Sequence, residues 1–358
     1  MRANIYLNAR FAGWRVTGVG RFGRELSARL VPLLAGSGKF RPLVIAPGNP
    51  ALANLADLRP LSRQSLVAAT LWEQLVLPFR ARDGYLVNLG NTAPLLRKRQ
   101  LAVVHDASVF AVPDNYSLAF RSWYRVVLHS ILRRAAQVVT DSAFSRGELS
   151  RYCGVPPERI RVIHCGCDHL DGVAAEPEIL ERAGLARGRY VLAVGTPSRA
   201  KNLAVLVKAM ERSRDNALEL ALVGEMEERV FNVNRIAWPS WVRVLGNVSD
   251  GQLKALYGNA LCFAFPSRYE GFGLPPLEAM RCGCPTIVST AASLPEVCGD
   301  ASLFADPDDV DSIARHIRAL AASEEMRVAY RARGYAQAER FTWDAAAEAY
   351  RCLIESAA

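Results

Sequence analysis

An alternation of strand, loop and helix runs along the whole chain and restarts once near its middle. In the first half, short apolar runs occupy residues 3–7, 43–46, 85–87, 101–104, 137–140 and 161–163. Residues with helical spacing lie between these runs, for example over 22–34. Such alternation predicts a parallel sheet that is covered by helices on both faces.

The same pattern begins again after a boundary segment at residues 171–188. Further apolar runs occupy residues 190–195, 218–224, 243–246, 262–265 and 286–289. A helical tail follows, over 312–320, 324–340 and 343–354. We expect an α/β protein with two doubly wound, Rossmann-like domains that face each other across a cleft, formed by residues 1–170 and 171–340. We expect residues 341–358 to form a C-terminal helix that packs back on the first domain.

The positive charge of the chain is concentrated in its first half. The formal net charge is +9, yet residues 1–175 carry 23 Lys and Arg against 11 Asp and Glu. This asymmetry predicts an anionic partner for the first domain. Residues 115–137 combine arginines with Phe120, Trp123 and Tyr124, a pattern that suits either a helix on an anionic membrane or a helix whose apolar face packs on the sheet. Nucleic acid is disfavoured, since no recognition module is present.

Eight cysteines are present, but their spacing does not indicate a disulfide framework or a structural zinc site. The two C-x-C pairs, Cys165 with Cys167 and Cys282 with Cys284, lie far apart in the sequence. The D-P-D-D run at 306–309 precedes a helix and is interpreted as a cap. The sequence therefore predicts neither a metal site nor a bound cofactor.

The N-terminus lacks the features of a signal peptide and no long apolar segment occurs, so we expect a cytoplasmic protein.

A glycine motif, G-x-G-x-x-G, occupies residues 18–23. Residues 9–17 separate it from the first strand, and the second strand ends without an acidic residue, so nicotinamide binding is disfavoured. We expect a flexible loop that opens a helix at about Arg21, in which Gly18 and Gly20 bring backbone amides close to an anion. The alternative is a pair of ordinary turn glycines.

The segment PSRYEGFGLPPLEAM at 266–280 carries the strongest functional signal. It predicts a strand end, a loop with Gly271 and Gly273, and a helix that begins at two prolines. Amides at such a helix start bind anions, and the carboxylates of Glu270 and Glu278 can accept hydrogen bonds from hydroxyl groups on either side. We place Glu278 in the first helical turn. A diphosphate that is flanked by sugar hydroxyls fits this pattern.

This E-x7-E segment resembles the donor-binding motif of glycosyltransferase family 4, whose members are retaining enzymes of GT-B fold. The blocks TGVGRFGREL, WEQLVLP, VVHDASVFAVPDNY, VVTDSAFSRGEL, IHCGCD and YVLAVGTPSRAKNL resemble other parts of the family in the same order. The WEQ-x-x-LP and GT-x4-KN patterns are most similar to bacterial O-antigen and exopolysaccharide mannosyltransferases. The resemblance covers essentially the whole chain.

The resemblance implies a role for each matching residue. Glu270 would bind hydroxyls of the donor sugar, Glu278 the nucleotide ribose, and Lys201 the leaving diphosphate, with Arg199 in the place of the arginine that often precedes the lysine. His105 would face the donor sugar, although a structural histidine is the alternative. The backbone amides of Gly271, Phe272, Gly273 and Leu274 would line the diphosphate. The base would be bordered by Gly246, Asn247 and Val248.

The resemblance further implies a metal-free transfer of a sugar, most simply mannose from GDP-mannose, onto a glycan or a lipid-linked saccharide bound by the first domain. Attachment to the inner face of the cytoplasmic membrane would accompany a lipid-linked acceptor. Two alternatives stay open: a retaining transferase with a UDP-sugar donor, and a non-catalytic protein that binds sugar nucleotides or glycans.

Overall fold

The protein is described by a computed structural model, which covers residues 2–13, 18–49, 51–57, 66–213, 218–224 and 238–358. Within these ranges the chain forms two compact units. The first contains Met1–Gly166 together with Thr342–Ala358, and the second contains Cys167–Phe341.

The first unit is built on a six-stranded parallel sheet. Its strands are β1 (Ala3–Asn8), β2 (Phe40–Ile45), β3 (Gly84–Asn88), β4 (Gln100–Val103), β5 (Gln137–Thr140) and β6 (Ile160–Val162). They lie side by side in the order β2-β1-β3-β4-β5-β6. Strands β3 and β4 are buried along their whole length, as expected for a parallel sheet with helices on both faces. The strand order reverses between β1 and β3, which is the place where sheets of this kind bind ligands.

The second unit contains another six-stranded parallel sheet. Its strands are β7 (Tyr190–Val194), β8 (Glu219–Val223), β9 (Val242–Gly246), β10 (Cys262–Phe265), β11 (Thr286–Ser289) and β12 (Ser302–Ala305). Their order is β12-β11-β10-β7-β8-β9, so the reversal falls between β7 and β10. The two predicted doubly wound sheets are therefore confirmed.

Helices cover these sheets. They are α1 (Gly18–Gly36), α2 (Leu66–Leu71), α3 (Leu77–Arg80), α4 (Ser108–Ala111), α5 (Leu118–Arg134), α6 (Ala143–Cys153), α7 (Glu178–Ala183), α8 (Leu203–Ser213), α9 (Asp250–Asn259), α10 (Leu274–Arg281), α11 (Leu294–Cys298), α12 (Val310–Ala322), α13 (Glu324–Ala338) and α14 (Trp343–Ala357). A π-helical turn, Trp72–Val76, joins α2 to α3. Among the described residues, no helix is both long enough and apolar enough to cross a bilayer.

The C-terminal helix α14 belongs to the first unit, where it packs along α1. Trp343 and Tyr350 are fully buried, and the Phe22 ring of α1 meets both at centroid distances of 5.8 and 6.2 Å. An ion pair of 3.1 Å between Arg29 Nε and Asp344 Oδ1 adds a polar contact at the edge. The apolar face of α14 is therefore buried as part of the first core.

The units divide at Gly166 and Cys167, four residues before the expected boundary at residue 170. The reason is local hydrogen bonding. The Cys167 amide donates to the Phe341 carbonyl over 3.0 Å, and Lys254 Nζ donates to the Leu170 carbonyl over 2.8 Å. Residues 167–170 therefore belong to the second unit.

Three expectations about secondary structure need correction. Strand β12 was not predicted, because it opens on a polar residue, Ser302, and lies directly before the D-P-D-D turn. Helix α1 begins at Gly18 rather than at about Arg21. Gly18 and Gly20 are therefore in its first turn and not in a flexible loop; Thr17, at the start of the same sequence block, lies outside the described residues.

The D-P-D-D run forms a helix cap, as predicted. Asp309 is the residue before α12, and its carboxylate accepts a hydrogen bond from the Ser312 amide over 2.9 Å. This is the usual role of an aspartate at a helix start.

All eight cysteines are free thiols. Burial raises the pKa of Cys153 to about 11 and that of Cys262 to about 12. Such thiols stay protonated and behave as small apolar side chains.

The aromatic residues of α5 point toward the core of the first unit. Phe120, Trp123 and Tyr124 are partly buried against that core, and the Phe120 and Tyr124 rings stack at 4.1 Å. Of the two interpretations of this helix, the structure favours packing on the sheet for its aromatic side chains.

Candidate active site

An ion pair between Lys201 and Glu270 marks the ligand-binding edge of the second sheet. Lys201 follows β7 and Glu270 follows β10, the two strands between which the strand order reverses. Lys201 Nζ lies 2.7 Å from Glu270 Oε1 and 4.7 Å from the centroid of the Phe265 ring. The side chains retain 25% and 13% of their exposure, respectively, so the pair is half-buried and still reachable from outside.

The loop that carries Lys201 is fastened to the end of β10. Asn202 has a positive φ of 56° and is buried. Its side-chain Nδ2 donates to the carbonyl oxygens of Pro266 over 3.2 Å and Pro307 over 2.6 Å. The Arg268 amide donates to the Ala200 carbonyl over 2.7 Å. These bonds set the position of Lys201 relative to Glu270. Sequence reasoning did not identify Asn202 as the residue that links this loop to β10. The available signal was that asparagine is among the residues that adopt positive φ most readily.

Arg199, two residues before Lys201, is exposed. Its carbonyl oxygen accepts a hydrogen bond from the Arg268 guanidinium over 3.1 Å. The proposal that the Arg199 side chain supports Lys201 stays a prediction.

The loop between Glu270 and α10 is held by a buried serine. Ser293 Oγ reaches the carbonyl oxygens of Glu270 and Phe272 over 3.0 and 2.7 Å. The Phe272 side chain is itself buried and meets the Phe341 ring at 5.9 Å. These contacts leave the loop little freedom, so the backbone of Gly271 and Phe272 has a defined course.

Helix α10 begins directly after Gly273, whose φ of 101° excludes most other residues. A side chain there would also come within 2.7 Å of Leu294 Cδ2. Pro275 and Pro276 carry no amide hydrogen, so Leu274 is the only one of the first three residues of α10 with a backbone donor. The donors at this helix start are therefore concentrated at Leu274 and the residues just before it.

Glu278 lies in the second turn of α10, not in the first turn as predicted, because it is the fifth residue of a helix with 3.6 residues per turn. It is buried, which also excludes ordinary capping. Tyr257 Oη on α9 donates to Glu278 Oε2 over 3.1 Å, and His169 Nε2 lies 3.0 Å from Glu278 Oε1. Sequence reasoning identified neither partner, since both are distant from Glu278 in the chain.

The ends of β7, β8 and β9 carry glycines at the same edge of the sheet. Gly224 has a φ of 132°, and a side chain there would come within 2.7 Å of the Gly195 carbonyl oxygen. The Gly224 amide donates to the Gly246 carbonyl over 2.8 Å. Asn247 is exposed and Val248 half-buried directly beyond β9. The structure thus places 246–248 at the carboxyl edge of the sheet, which also carries Lys201 and Glu270.

In the first unit, His105 lies directly beyond β4 and is buried. Its Nδ1 is 2.5 Å from Asp141 Oδ2, and its Nε2 is 3.1 Å from the Leu89 carbonyl oxygen. Burial alone would lower the pKa of His105, but the charge and hydrogen bond of Asp141, with the Leu89 carbonyl, outweigh burial and raise it. Both ring nitrogens are therefore engaged within this unit, which agrees with the structural alternative. A role toward the donor sugar stays a prediction.

Asp141 is a residue that sequence reasoning missed. It follows β5, the neighbour of β4 in the sheet, and its Oδ1 is buried without a hydrogen-bond partner among the described residues. The available signal was its position as the first polar charged residue after a buried strand, next to the strand that ends before His105.

The glycine motif has two parts with different roles. Gly18 is exposed and Gly20 buried in the first turn of α1. Gly23 lies against Phe11, and a side chain there would come within 2.6 Å of the Phe11 ring. The third glycine is therefore explained by packing. An anion at the first two stays a prediction.

The W-E-Q residues of the first unit support a buried polar network at the point where its strand order reverses. Glu73 Oε2 lies 3.3 Å from Arg10 Nη1 and accepts hydrogen bonds from Thr92 Oγ1 over 3.0 Å and Asn8 Nδ2 over 3.3 Å. Burial raises the pKa of Glu73, although Arg10 and these hydrogen bonds oppose that shift. Gln74 fastens the next loop, since its side chain bonds the Ala93 carbonyl over 3.1 Å.

Comparison with known proteins agrees with these observations. The family described as "Glycosyltransferase Family 4" matches residues 17–169, and "Glycosyl transferases group 1" matches residues 177–337. The chain is 33% identical to the O-antigen chain mannosyltransferase B of Escherichia coli over 359 residues, which covers 92% of this chain and 93% of that protein.

More distant proteins are similar over most of the chain or all of it. The chain is 27% identical to the GDP-mannose:cellobiosyl-diphosphopolyprenol alpha-mannosyltransferase of Komagataeibacter xylinus, over 78% of this chain and 71% of that protein. The crystal structure of Anabaena HepE in complex with UDP and glucose superposes with a TM-score of 0.75 at 18% identity, over 99% of this chain and 100% of that one. The chain belongs to glycosyltransferase family 4, and it is a glycosyltransferase with the two-domain α/β GT-B fold.

Proposed function

We propose that this enzyme transfers mannose from GDP-mannose, with retention of configuration, to a glycan or lipid-linked acceptor in bacterial surface polysaccharide synthesis. The names of the two relatives above support mannosyl transfer, and one of them specifies GDP-mannose. The observation that carries the proposal is the half-buried Lys201–Glu270 pair at the reversal of the second sheet.

The pair suits a ligand that carries both a diphosphate and sugar hydroxyls. A carboxylate accepts hydrogen bonds from hydroxyls, and an ammonium group donates to phosphate oxygens. A bound diphosphate would compete with Glu270 for Lys201, which would release Glu270 Oε1 to accept from the sugar. In this proposal the amides of Gly273 and Leu274 contribute at the start of α10, where the helix dipole favours negative charge.

The same groups account for catalysis. Cleavage of the sugar–phosphate bond leaves additional negative charge on the departing diphosphate. A cation and aligned amides that face this charge stabilise the transition state more than the ground state. We propose that Lys201 and the start of α10 supply this stabilisation without a metal ion, and that the departing phosphate oxygen accepts the proton of the attacking acceptor hydroxyl.

The donor is tested by binding and by turnover. Purified protein is screened by thermal shift with GDP-mannose, GDP, UDP-glucose, UDP-galactose and UDP, because a ligand that binds only the folded state raises the melting temperature. We expect the largest shift with GDP-mannose and slow release of GDP from it. A clear preference for a UDP-sugar would replace the donor. Binding without hydrolysis or transfer to any acceptor would favour the non-catalytic alternative.

We also propose that the first unit attaches to an anionic membrane surface. The segment from α2 to α3 and the loop between β3 and β4 expose large apolar side chains, here called the apolar stripe: Val67, Leu71, Leu75, Val76, Phe79 and Leu96. Phe79 and Leu96 retain 74% and 82% of their exposure. Side chains of this size are rarely exposed together on a protein without a partner.

Basic residues adjoin the apolar stripe. Arg97 Nη1 donates to the Pro78 carbonyl over 3.3 Å, so the loop that contains Leu96 lies beside α3. Lys98 and Arg99 follow and are exposed. Apolar side chains beside exposed cations are the combination that favours anionic lipid, because burial in the interface and charge attraction add. The apolar stripe, rather than the aromatic residues of α5, supports the proposed attachment.

A further inference from the structure

The carboxylate of Glu278 is enclosed by two protein groups from other parts of the second unit. The His169 side chain is 1% exposed and the Glu278 side chain 6%; Tyr257 is fully buried. Burial raises the pKa of Tyr257, and the adjacent Glu278 charge raises it further, so the phenol remains a donor. His169 Nε2 lies 3.0 Å from Glu278 Oε1; a carboxylate can only accept, so this contact is favourable only when that nitrogen carries a hydrogen.

Three separate elements converge on this carboxylate. Tyr257 is on α9, Glu278 on α10, and His169 in the 3-10 turn Asp168–Leu170. The turn is tied to both helices: Lys254 Nζ of α9 donates to the Leu170 carbonyl over 2.8 Å, and Arg281 Nε of α10 donates to Asp171 Oδ1 over 2.9 Å. The position of the imidazole is therefore set by the same helices that carry its partners.

Stability alone is a weak reason for such an arrangement. A buried polar cluster contributes little net stability, because the cost of removing its polar groups from water offsets their attraction. Replacement of buried polar groups by apolar groups of similar volume is often neutral or stabilising. The arrangement is useful if the acid must be held in one orientation. A carboxylate offers about four acceptor positions. Tyr257 occupies one on Oε2, and His169 Nε2 lies 3.0 Å from Oε1.

We infer that His169 is a positioning residue that, together with Tyr257, orients Glu278 to accept hydrogen bonds from the ribose hydroxyls of the donor nucleotide. This inference rests on the proposed donor site, since Glu278 is four residues beyond the helix start assigned there to the diphosphate. His169 acts only through Glu278. Its loss should therefore weaken recognition of the ribose and leave recognition of the base and phosphates in place.

Discrimination between ribose and deoxyribose tests the inference directly. Affinities for GDP, 2′-deoxy-GDP and 3′-deoxy-GDP are measured by calorimetry for the wild type and for His169→Ala, His169→Gln and Tyr257→Phe. We expect the wild type to prefer GDP over at least one deoxy form by about tenfold or more, since a lost hydrogen bond leaves a buried acceptor unsatisfied. His169→Ala should bring this ratio close to one, and His169→Gln, which keeps a donor, should restore part of it. Tyr257→Phe should lower the ratio without a change in side-chain shape.

His316→Ala is the matched control. His316 is a half-buried histidine on α12 of the same unit. Its Nε2 lies 3.0 Å from the carbonyl oxygen of Phe304. It should lower the melting temperature and leave the ratio unchanged. In turnover, His169→Ala should raise KM for the donor more than it lowers kcat, because the ribose contact is made in both the ground and transition states.

The outcomes separate this inference from the proposed function. If the wild type binds GDP-mannose and transfers mannose but does not discriminate against either deoxy form, the inference is wrong and the proposed function stands. If His169→Ala and Tyr257→Phe weaken GDP and its deoxy forms equally, His169 is only structural. If the wild type binds no nucleotide, both proposals fail.

Discussion

Lys201 and Glu270 meet at 2.7 Å although they lie 69 positions apart in the chain. Each follows one of the two adjacent strands between which the order of the second sheet reverses. The parallel arrangement brings the carboxyl ends of β7 and β10 to one edge, and the bonds of Asn202 and Ser293 set the two loops. The pair is therefore a product of sheet topology.

Removal of either member of this pair should abolish most of the activity. We expect Lys201→Met and Glu270→Gln each to lower kcat for GDP release by about 10²–10³-fold, the range known for loss of one group that stabilises developing charge. Melting temperatures should change little, because a half-exposed pair contributes little to stability.

Arg243→Met is the control for that experiment. Arg243 Nη2 pairs with Glu219 Oε1 over 2.6 Å. Glu219 begins β8, so this pair lies at the amino ends of the strands, away from the carboxyl ends that carry Lys201 and Glu270. It should keep wild-type kcat. Wild-type turnover in the Lys201 or Glu270 variant would remove that residue from the proposed mechanism.

The His105–Asp141 contact should make the stability of the first unit depend on pH. Because the pKa of His105 is raised in the folded state, its stabilising effect is fully present below the ordinary histidine value of about 6.5 and is lost as pH rises through the folded value. We expect Asp141→Asn to lower the urea midpoint of unfolding clearly at pH 5.5 and much less at pH 9.

A residue of the same unit that does not titrate provides the comparison for this pH dependence. Ser130 is half-buried, and its Oγ donates to the Leu95 carbonyl over 3.1 Å. Ser130→Ala should shift the midpoint by a similar amount at both pH values. A loss in Asp141→Asn that is the same at pH 5.5 and pH 9 would show that the charge of His105 does not contribute.

Gly224 should not tolerate a side chain. Its φ of 132° and the 2.7 Å approach of the Gly195 carbonyl oxygen both oppose a Cβ atom. We expect Gly224→Ala to lower the free energy of unfolding by about 3 kcal/mol and to reduce donor binding, because Gly195 adjoins the Lys201 side chain.

Gly184→Ala is the control that separates the cost of a positive φ from the cost of the close contact at Gly224. Gly184 also has a positive φ, of 65°, but a Cβ there would meet nothing within 4 Å. Its cost should be about 1 kcal/mol, that of the left-handed conformation alone, with donor binding unchanged. Equal losses in the two variants would show that the Gly195 contact is unimportant.

The apolar stripe should decide binding to lipid vesicles. We expect the protein to sediment with vesicles that contain anionic lipid at low salt and to be released at high salt, since screening weakens charge attraction. Replacement of Leu75, Phe79 and Leu96 by serine should lower vesicle binding about tenfold or more, while GDP-mannose hydrolysis in solution is retained.

Serine at Val328 and Tyr335 is the matched control for the stripe. These residues are exposed apolar side chains of the second unit, at 50% and 43%, and their replacement should leave vesicle binding unchanged. Salt-independent binding to neutral vesicles, or full binding by the triple variant, would contradict the proposed surface.

Local patterns in the sequence were sufficient for most of the fold. Eleven strands and the restart of the pattern were visible, because buried parallel strands are apolar runs and glycines follow them. The E-x7-E segment was also identified from the sequence, since a loop with two glycines followed by two prolines at a helix start is a local signature. The fold family was identified from the resemblance of this and other sequence blocks to a known family. Strand β12 was missed because it opens on a polar residue, Ser302, and runs directly into a turn.

Contacts between distant segments were decided only by the tertiary structure. The burial of Glu278 in the second turn of α10, its partners His169 and Tyr257, and the pairing of His105 with Asp141 depend on which strands and helices are neighbours in space. The sequence determines the chemistry of each side chain and the local geometry of its loop. The orientation and charge of a buried acid or imidazole depend on partners that folding brings together from far along the chain, and no local pattern contains that information.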